Sequence, residues 1–175
     1  MITFKQWLME RSTIPQLDMK ARQAFPNTKK RQNDTGSVNI LPGIHYAAKG
    51  DELTIDSRTT SSNSGNAHSQ RIILYHARIG HQGDPNMIPL GDTGAAVEPV
   101  PLTKDNARVS CDCMDFRFRF ADNNDRDDSL AGEAPPAYQR VPGSNRPPAN
   151  ATGLPGMCKH LMKLVQTLKQ LHIVV

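Results

Sequence analysis

All three cysteines of the chain stand in two short motifs that share one spacing. The first motif is C-D-C at 111–113, and the second is C-K-H at 158–160. Three thiols and one imidazole make a Cys3His set, which is a standard ligand set for a structural zinc ion. The sequence therefore predicts a zinc site formed by Cys111, Cys113, Cys158 and His160.

Disulfide bonding and metal-free burial of the cysteines are both weaker interpretations. A disulfide would leave one thiol unpaired, and a bridge from Cys111 to Cys113 would strain the bond geometry. Three buried thiols without a metal are the second alternative, since free cysteine often packs as a small apolar residue. The matching histidine at position 160 favours the zinc site over both alternatives.

The residues around the motifs predict how the four side chains meet. Val109, Cys111 and Cys113 alternate along an extended segment, so they share one face of a predicted strand. The second motif opens a predicted helix, with Cys158 in its first turn. Apolar residues recur at helical spacing after it: Leu161, Leu164, Val165, Leu168 and Leu171. The predicted fold class is α+β, with a small antiparallel sheet joined to the C-terminal helix by the zinc site.

Residues 114–121 allow two structures. A strand continuing past the cysteines would place three phenylalanines on one face and Arg117 and Arg119 on the other. A helix is the alternative, because short apolar segments are ambiguous. The two arginines are candidate partner-binding residues, although pairing with nearby aspartates is the favoured role.

The remaining segments predict strands and loops. Alternating residues predict strands at 52–57 and at 71–79, the latter in the same sheet as the Cys111 strand. The segment 80–101 has many glycines and prolines and predicts an extended connection. The insertion at about 122–155 is acidic and then rich in proline and glycine, which is typical of an arm or lid.

The N-terminal residues predict two short helices, the second starting near Pro15 and ending at Pro26. Neither helix is long enough to be stable alone. The apolar stripe of Phe4, Trp7 and Leu8 is more often ordinary packing, but it is also a candidate partner-binding surface. We divide the chain into an N-terminal helical arm, 1–35, and a zinc-stabilised domain, 36–175.

Composition limits the size of the core. Leu, Ile, Val and Phe together make up 36 of the 175 residues, about a fifth, which is close to the level at which chains fail to bury a core. A structural zinc ion contributes on the order of 10–16 kcal/mol in finger peptides. No apolar run or charged leader predicts a membrane segment or secretion, so we expect a soluble chain made in the cytoplasm.

The C-x-C and C-x-H pairs, with strands before the first and a helix carrying the second, resemble the SWIM-type zinc finger. That resemblance covers about 65 residues, from Ala107 to Leu171, and is specific at four positions. Members of this family generally bind DNA or protein. The resemblance therefore implies a zinc-dependent binding module.

A narrower resemblance extends beyond the ligands. The segment C-D-C-M-D-F-R-F-R-F-A at 111–121 and the segment P-G-M-C-K-H-L at 155–161 are similar to a pattern in structural and uncharacterised proteins of tailed bacteriophages. This resemblance implies a small component of a virion, in the neck, tail, baseplate or capsid, that contacts other virion proteins in a symmetric assembly. It names no catalytic residue.

The leading functional expectation is therefore a non-enzymatic structural protein located in the virion, with no small-molecule substrate and no membrane contact. A SWIM-type nucleic-acid-binding module is the alternative, permitted by a net charge of +4. Acidic residues beside the zinc motif argue against that alternative, because they repel phosphate. A zinc hydrolase is disfavoured, since four protein ligands leave no open position for water and no hydrolase motif occurs.

Overall fold

The structure is a computed structural model, and it describes residues 11–24, 33–61, 65–104, 107–136 and 149–175. Within these ranges four α-helices and eight β-strands are formed. The helices are α1 (Ile14–Ala24), α2 (Met114–Arg119), α3 (Ala121–Arg126) and α4 (Lys159–Gln170). The strands are β1 (Val38–Ile40), β2 (His45–Lys49), β3 (Glu52–Ser61), β4 (Ala67–Leu74), β5 (Ile79–His81), β6 (Ile88–Pro89), β7 (Ala95–Val97) and β8 (Ala107–Cys111). The predicted α+β fold class is confirmed.

The main sheet is antiparallel and has five strands. Its order is β1-β3-β4-β8, and β2 pairs with β3 beside β1. The register places Ser57 opposite Gln70, and Gln70 opposite Cys111. Because side chains alternate across a sheet, these three residues form one row on the same face. That row ends at the first predicted zinc ligand.

The core lies between this face of the sheet and helix α4. The buried apolar residues of β3, β4 and β8 point into it, as do those on one side of α4. The strand contributions are Leu53, Ile55, Ile72, Leu74, Ala107 and Val109. The helix contributions are Leu161, Met162, Leu164, Val165 and Leu168. The apolar stripe predicted for the C-terminal helix is thus the face that α4 buries, except at Leu171, which follows the helix and is 44% exposed.

Helix α1 joins the same core. Ile14, Leu17 and Ala21 are buried in it. The start of the helix is held by the residues after α3, because Asp127 accepts hydrogen bonds from the backbone N–H and the hydroxyl of Ser12. The second predicted N-terminal helix is therefore present and packed. The first one, with Phe4, Trp7 and Leu8, lies outside the described residues.

Two predicted segments differ from the structure. Strand β4 ends at Leu74, whereas the sequence predicted a strand to Ile79. The strand stops because His76 takes a left-handed backbone conformation, with φ of 59°, and turns the chain. Residues 80–101 were predicted as an extended connection, yet they hold most of a second sheet of order β5-β7-β6. Its strands have two or three residues each, which is too short for a periodic pattern.

The segment after the cysteines is helical, so the strand prediction for 114–121 is wrong and its helix alternative is confirmed. Phe116 and Phe120 are four residues apart, and both are buried with their ring centroids 6.4 Å from each other. A helix places such residues on one side, whereas Phe118 points elsewhere. Helix α3 follows at once, so the acidic start of the predicted insertion is ordered.

The chain after α3 covers the outer edge of β8. Val109 donates its backbone N–H to the carbonyl of Ser129, and Ala131 donates to the carbonyl of Val109. These bonds pair the edge strand with the 129–131 segment, and an unpaired edge would otherwise attract other strands.

In the part of the chain that the structure describes, no helix is long and apolar enough to cross a membrane.

Asn124 of α3 holds the loop that leads to the second ligand pair. Its side chain accepts a hydrogen bond from the backbone N–H of Gly156 at 2.8 Å and donates one to the carbonyl of Gly156 at 3.1 Å. Asn124 is fully buried. A Cβ atom at position 156 would lie 2.7 Å from the ring of Phe120. Only glycine at this position therefore lets the backbone lie so close to α3.

We predict that Asn124→Ala destabilises the fold by about 2–4 kcal/mol, because both backbone groups of Gly156 lose their buried partner. Asn123→Ala is the matched control, since among the described residues its side chain bonds the carbonyl of Arg119 alone. We expect this variant to cost less than about 1 kcal/mol. Urea unfolding of the metal-saturated proteins measures both values. Equal losses for the two variants would contradict the assigned role of Asn124.

Candidate metal centre

Strand β8 delivers the first ligand to the core. Ala107, Val109 and Cys111 are buried, while Arg108 and Ser110 between them are partly exposed. This alternation is the one that the sequence predicted, and it directs the Cys111 thiol inward. The strand stops at Cys111, so Cys113 does not belong to it.

Cys113 is the N-cap of helix α2. Its backbone is extended, with φ of −67° and ψ of 148°, and its sulfur accepts a hydrogen bond from the N–H of Phe116 at 3.3 Å. The extended backbone still turns this thiol toward the same region as Cys111. The predicted shared face is thus kept, although a helix cap replaces the strand.

The second ligand pair begins helix α4. Cys158 is the N-cap and not a first-turn residue, and His160 follows in the first turn. Met157 and Cys158 are buried, so the thiol enters the core where the helix meets the sheet. The helix terminus and the strand end converge as the motif spacing predicted.

The four side chains form one compact group. Their ligand atoms all lie within 4.8 Å of one another. The Nδ1 atom of His160 is 4.0 Å from the sulfur of Cys111 and 3.9 Å from that of Cys158. In a tetrahedral zinc site with bonds of about 2.3 Å to sulfur and 2.0–2.1 Å to nitrogen, this edge measures about 3.6 Å. These two edges therefore need only a small contraction for the group to hold a metal ion.

The group is closed to solvent. Cys111 is 7% exposed, His160 4%, Cys113 3% and Cys158 1%. Such a Cys3His group can bind a metal, and its four donors complete a tetrahedron without a water molecule. The burial therefore suits a structural ion better than a catalytic one.

The imidazole of His160 is held by packing. Its Nδ1 faces the thiols, whereas its Nε2 is buried and has no hydrogen-bond partner among the described residues. The ring of His68 packs on it, with centroids 4.8 Å apart. His68 is in turn 3.2 Å from the carboxylate of Asp112. Nδ1 is thus the atom that is placed to bind a metal.

The three thiols do not titrate alike. Burial raises the pKa of Cys111 and the pKa of Cys158 well above the ordinary thiol value. Hydrogen bonds from these two thiols hold the pKa of Cys113 far below it. Cys111 and Cys158 are therefore protonated near neutral pH when no cation is bound, and a bound cation must displace their protons.

Three residues near the site have no signal in the sequence pattern. Gln70 and His68 lie on β4 and approach the ligands only because β4 pairs with β8. Asn124 fixes the loop before Cys158 from a different helix. None of the three stands at a ligand spacing, so only the three-dimensional pairing identifies them.

The candidate partner-binding residues are placed as follows. Phe4, Trp7 and Leu8 lie outside the described residues. Arg119 forms an ion pair with Asp115 at 3.0 Å. Arg117 is exposed, and its guanidinium lies 5.8 Å from the ring centroid of Phe118.

Comparisons of the chain with protein families, with curated proteins and with solved structures found no match.

We predict that metal binding near neutral pH releases protons from Cys111 and Cys158, because burial raises the pKa of both thiols and keeps them protonated beforehand. Affinity should accordingly rise with pH, since protons compete with the ion for the thiolates. Calorimetric titration in buffers of different ionisation enthalpy counts the protons. Release of no protons would contradict this assignment.

Proposed function

We propose that the group binds zinc and that the ion has a structural role. The observation that carries this proposal is the closed, buried Cys3His group, with no ligand more than 7% exposed. Thiolates select zinc over the hard cations magnesium and calcium. Zinc also has no redox chemistry of its own, which suits a site that only holds elements together.

The four ligands come from three elements. Cys111 ends β8, Cys113 caps α2, and Cys158 and His160 begin α4. An ion held by all four would join the sheet to the C-terminal helix and close the loop of residues 114–157. Because the chain is poor in large apolar residues, this link supplies stability that burial alone would not.

We propose further that the protein is a non-enzymatic structural component of a bacteriophage virion. Support comes from the resemblance of the segments at 111–121 and 155–161 to tailed-phage proteins and to the SWIM pattern. A closed metal site is also consistent with this role, since a catalytic zinc keeps a position for water. The partners would be other virion proteins in a symmetric assembly.

The distribution of charge favours this role over nucleic-acid binding. In the ranges that the structure describes, seven arginines form ion pairs with six carboxylates, so most of their charge is compensated within the chain. The pairs are Arg11 and Arg108 with Asp128, Arg22 with Asp18, Arg71 with Asp56, Arg78 with Glu98, Arg119 with Asp115, and Arg126 with Asp122. A phosphate backbone is bound by cations that are free to contact it.

We predict that purified protein contains about one zinc ion per chain and that His160→Ala lowers this content, because only three protein donors remain and a water molecule must take the fourth position. His68→Ala is the matched control, since its ring lies against His160 but is not a ligand. Elemental analysis by mass spectrometry gives the metal content. Equal zinc in wild type and His160→Ala would contradict the site.

For the virion role, we predict that the protein is present in purified particles of the phage that encodes it, at a copy number set by particle symmetry. Quantitative mass spectrometry of the particles measures this. Its absence from intact particles would refute the proposal. A DNA-binding isotherm at low and raised salt tests the alternative, since binding that weakens steeply with salt would favour a nucleic-acid module.

A further inference from the structure

Gln70 lies beside the candidate metal centre without belonging to the ligand set. It is opposite Cys111 in the register of β4 and β8, and its side chain is only 2% exposed. Its Nε2 atom is 3.8 Å from the Cys111 sulfur. A buried amide is thus placed against one ligand and outside the motif that defines the others.

The orientation of this amide is fixed by its other contacts. The same Nε2 is 2.6 Å from the backbone carbonyl of His68, and a carbonyl can only accept a hydrogen bond. The atom facing Cys111 must therefore be the nitrogen. Its second hydrogen lies between the hydroxyl oxygen of Thr59, at 2.9 Å, and the sulfur of Cys111.

An N–H group at this position matters because the sulfur is buried. Three thiolates and a divalent cation leave a formal charge of −1 in the core, where charge is costly unless donors face it. Cys113 has such a donor in the N–H of Phe116. The Gln70 amide is placed to supply the equivalent donor to Cys111, and donors around the ligands commonly change metal affinity by about 10–100-fold.

We infer that Gln70 is a positioning residue of the metal centre, whose amide N–H stabilises Cys111 as a metal-bound thiolate and thereby raises metal affinity. This inference rests on the proposed metal site. The hydroxyl oxygen of Thr59 competes with the Cys111 sulfur for the same amide hydrogen of Gln70. Thr59 should therefore weaken the hydrogen bond to Cys111 and lower metal affinity slightly.

The first test compares two substitutions that remove opposite ends of one hydrogen bond. Gln70→Met keeps the length of the side chain but has no N–H, and zinc affinity measured by chelator competition should fall about 10-fold or more. Thr59→Val is the matched control, because it keeps shape and leaves the hydrogen of Gln70 to Cys111 alone. Its affinity should equal or exceed that of wild type.

A purely structural role for Gln70 predicts a different pattern. Both variants break the buried bond between Gln70 and Thr59, so both would then lose affinity together. Equal losses in the two variants, or wild-type affinity in Gln70→Met, overturn the inference.

The second test needs no substitution, so it remains decisive if Gln70→Met does not fold. In wild-type protein loaded with an NMR-active cadmium isotope, a hydrogen bond to a ligand sulfur transmits scalar coupling from the metal to the donor hydrogen. We expect coupling to a side-chain amide hydrogen of Gln70. The backbone N–H of Phe116, which bonds Cys113, serves as the positive control.

The outcomes separate this inference from the proposed function. If wild-type protein binds neither zinc nor cadmium stoichiometrically, the metal site itself is refuted. If it binds both ions, and coupling is seen at Phe116 but not at Gln70, only the role of Gln70 is refuted.

Discussion

The convergence of three thiols and one imidazole on a single buried point is the constraint on which the rest of the structure depends. These groups come from the end of a strand and from the first residues of two helices. Burial raises the pKa of two of the thiols, Cys111 and Cys158, so both are protonated without a cation. Without a cation the group is a cluster of poorly compensated polar atoms in the core, and with one it becomes a cross-link between layers.

The surroundings of the group are organised to hold its geometry. Asn124 fixes the backbone of Gly156, two residues before Cys158, and the bare glycine lets that loop lie against Phe120. Helix α1 covers this region with Ala21. The second ligand pair is thus held by contacts from α1 and α3 as well as by its own helix. We regard these supporting contacts as the reason why a chain with few large apolar residues can position four ligands.

Much of the site was predictable from the sequence, because ligand chemistry is tied to residue type and spacing. The two motifs identify the Cys3His group, and the apolar spacing after Cys158 identifies the buried face of α4. The sequence pattern could not distinguish strand from helix at 114–121. Alternation of aromatic and charged residues is typical of a strand, whereas the four-residue spacing of Phe116 and Phe120 is typical of a helix. The hydrogen bond from the N–H of Phe116 to the N-cap Cys113 favours the helix. This bond is seen in the structure and has no signal in the sequence pattern.

Other features depend on pairing between distant segments. The contacts of Gln70 and His68 with the site follow from the register of β4 against β8, which no local pattern specifies. The second sheet is made of strands too short to show periodicity. Pairing between distant segments and very short strands therefore could not be predicted from the sequence. The residues of the candidate metal site could be, because they follow from residue type and spacing.

X-ray absorption at the zinc edge of the purified, metal-replete protein measures the coordination of the ion most directly. We expect a first coordination shell of three sulfur atoms at about 2.3 Å and one nitrogen at about 2.0–2.1 Å, with no water oxygen. A shell dominated by oxygen and nitrogen would contradict a structural Cys3His zinc site, as would a protein that retains its native fold with no bound metal.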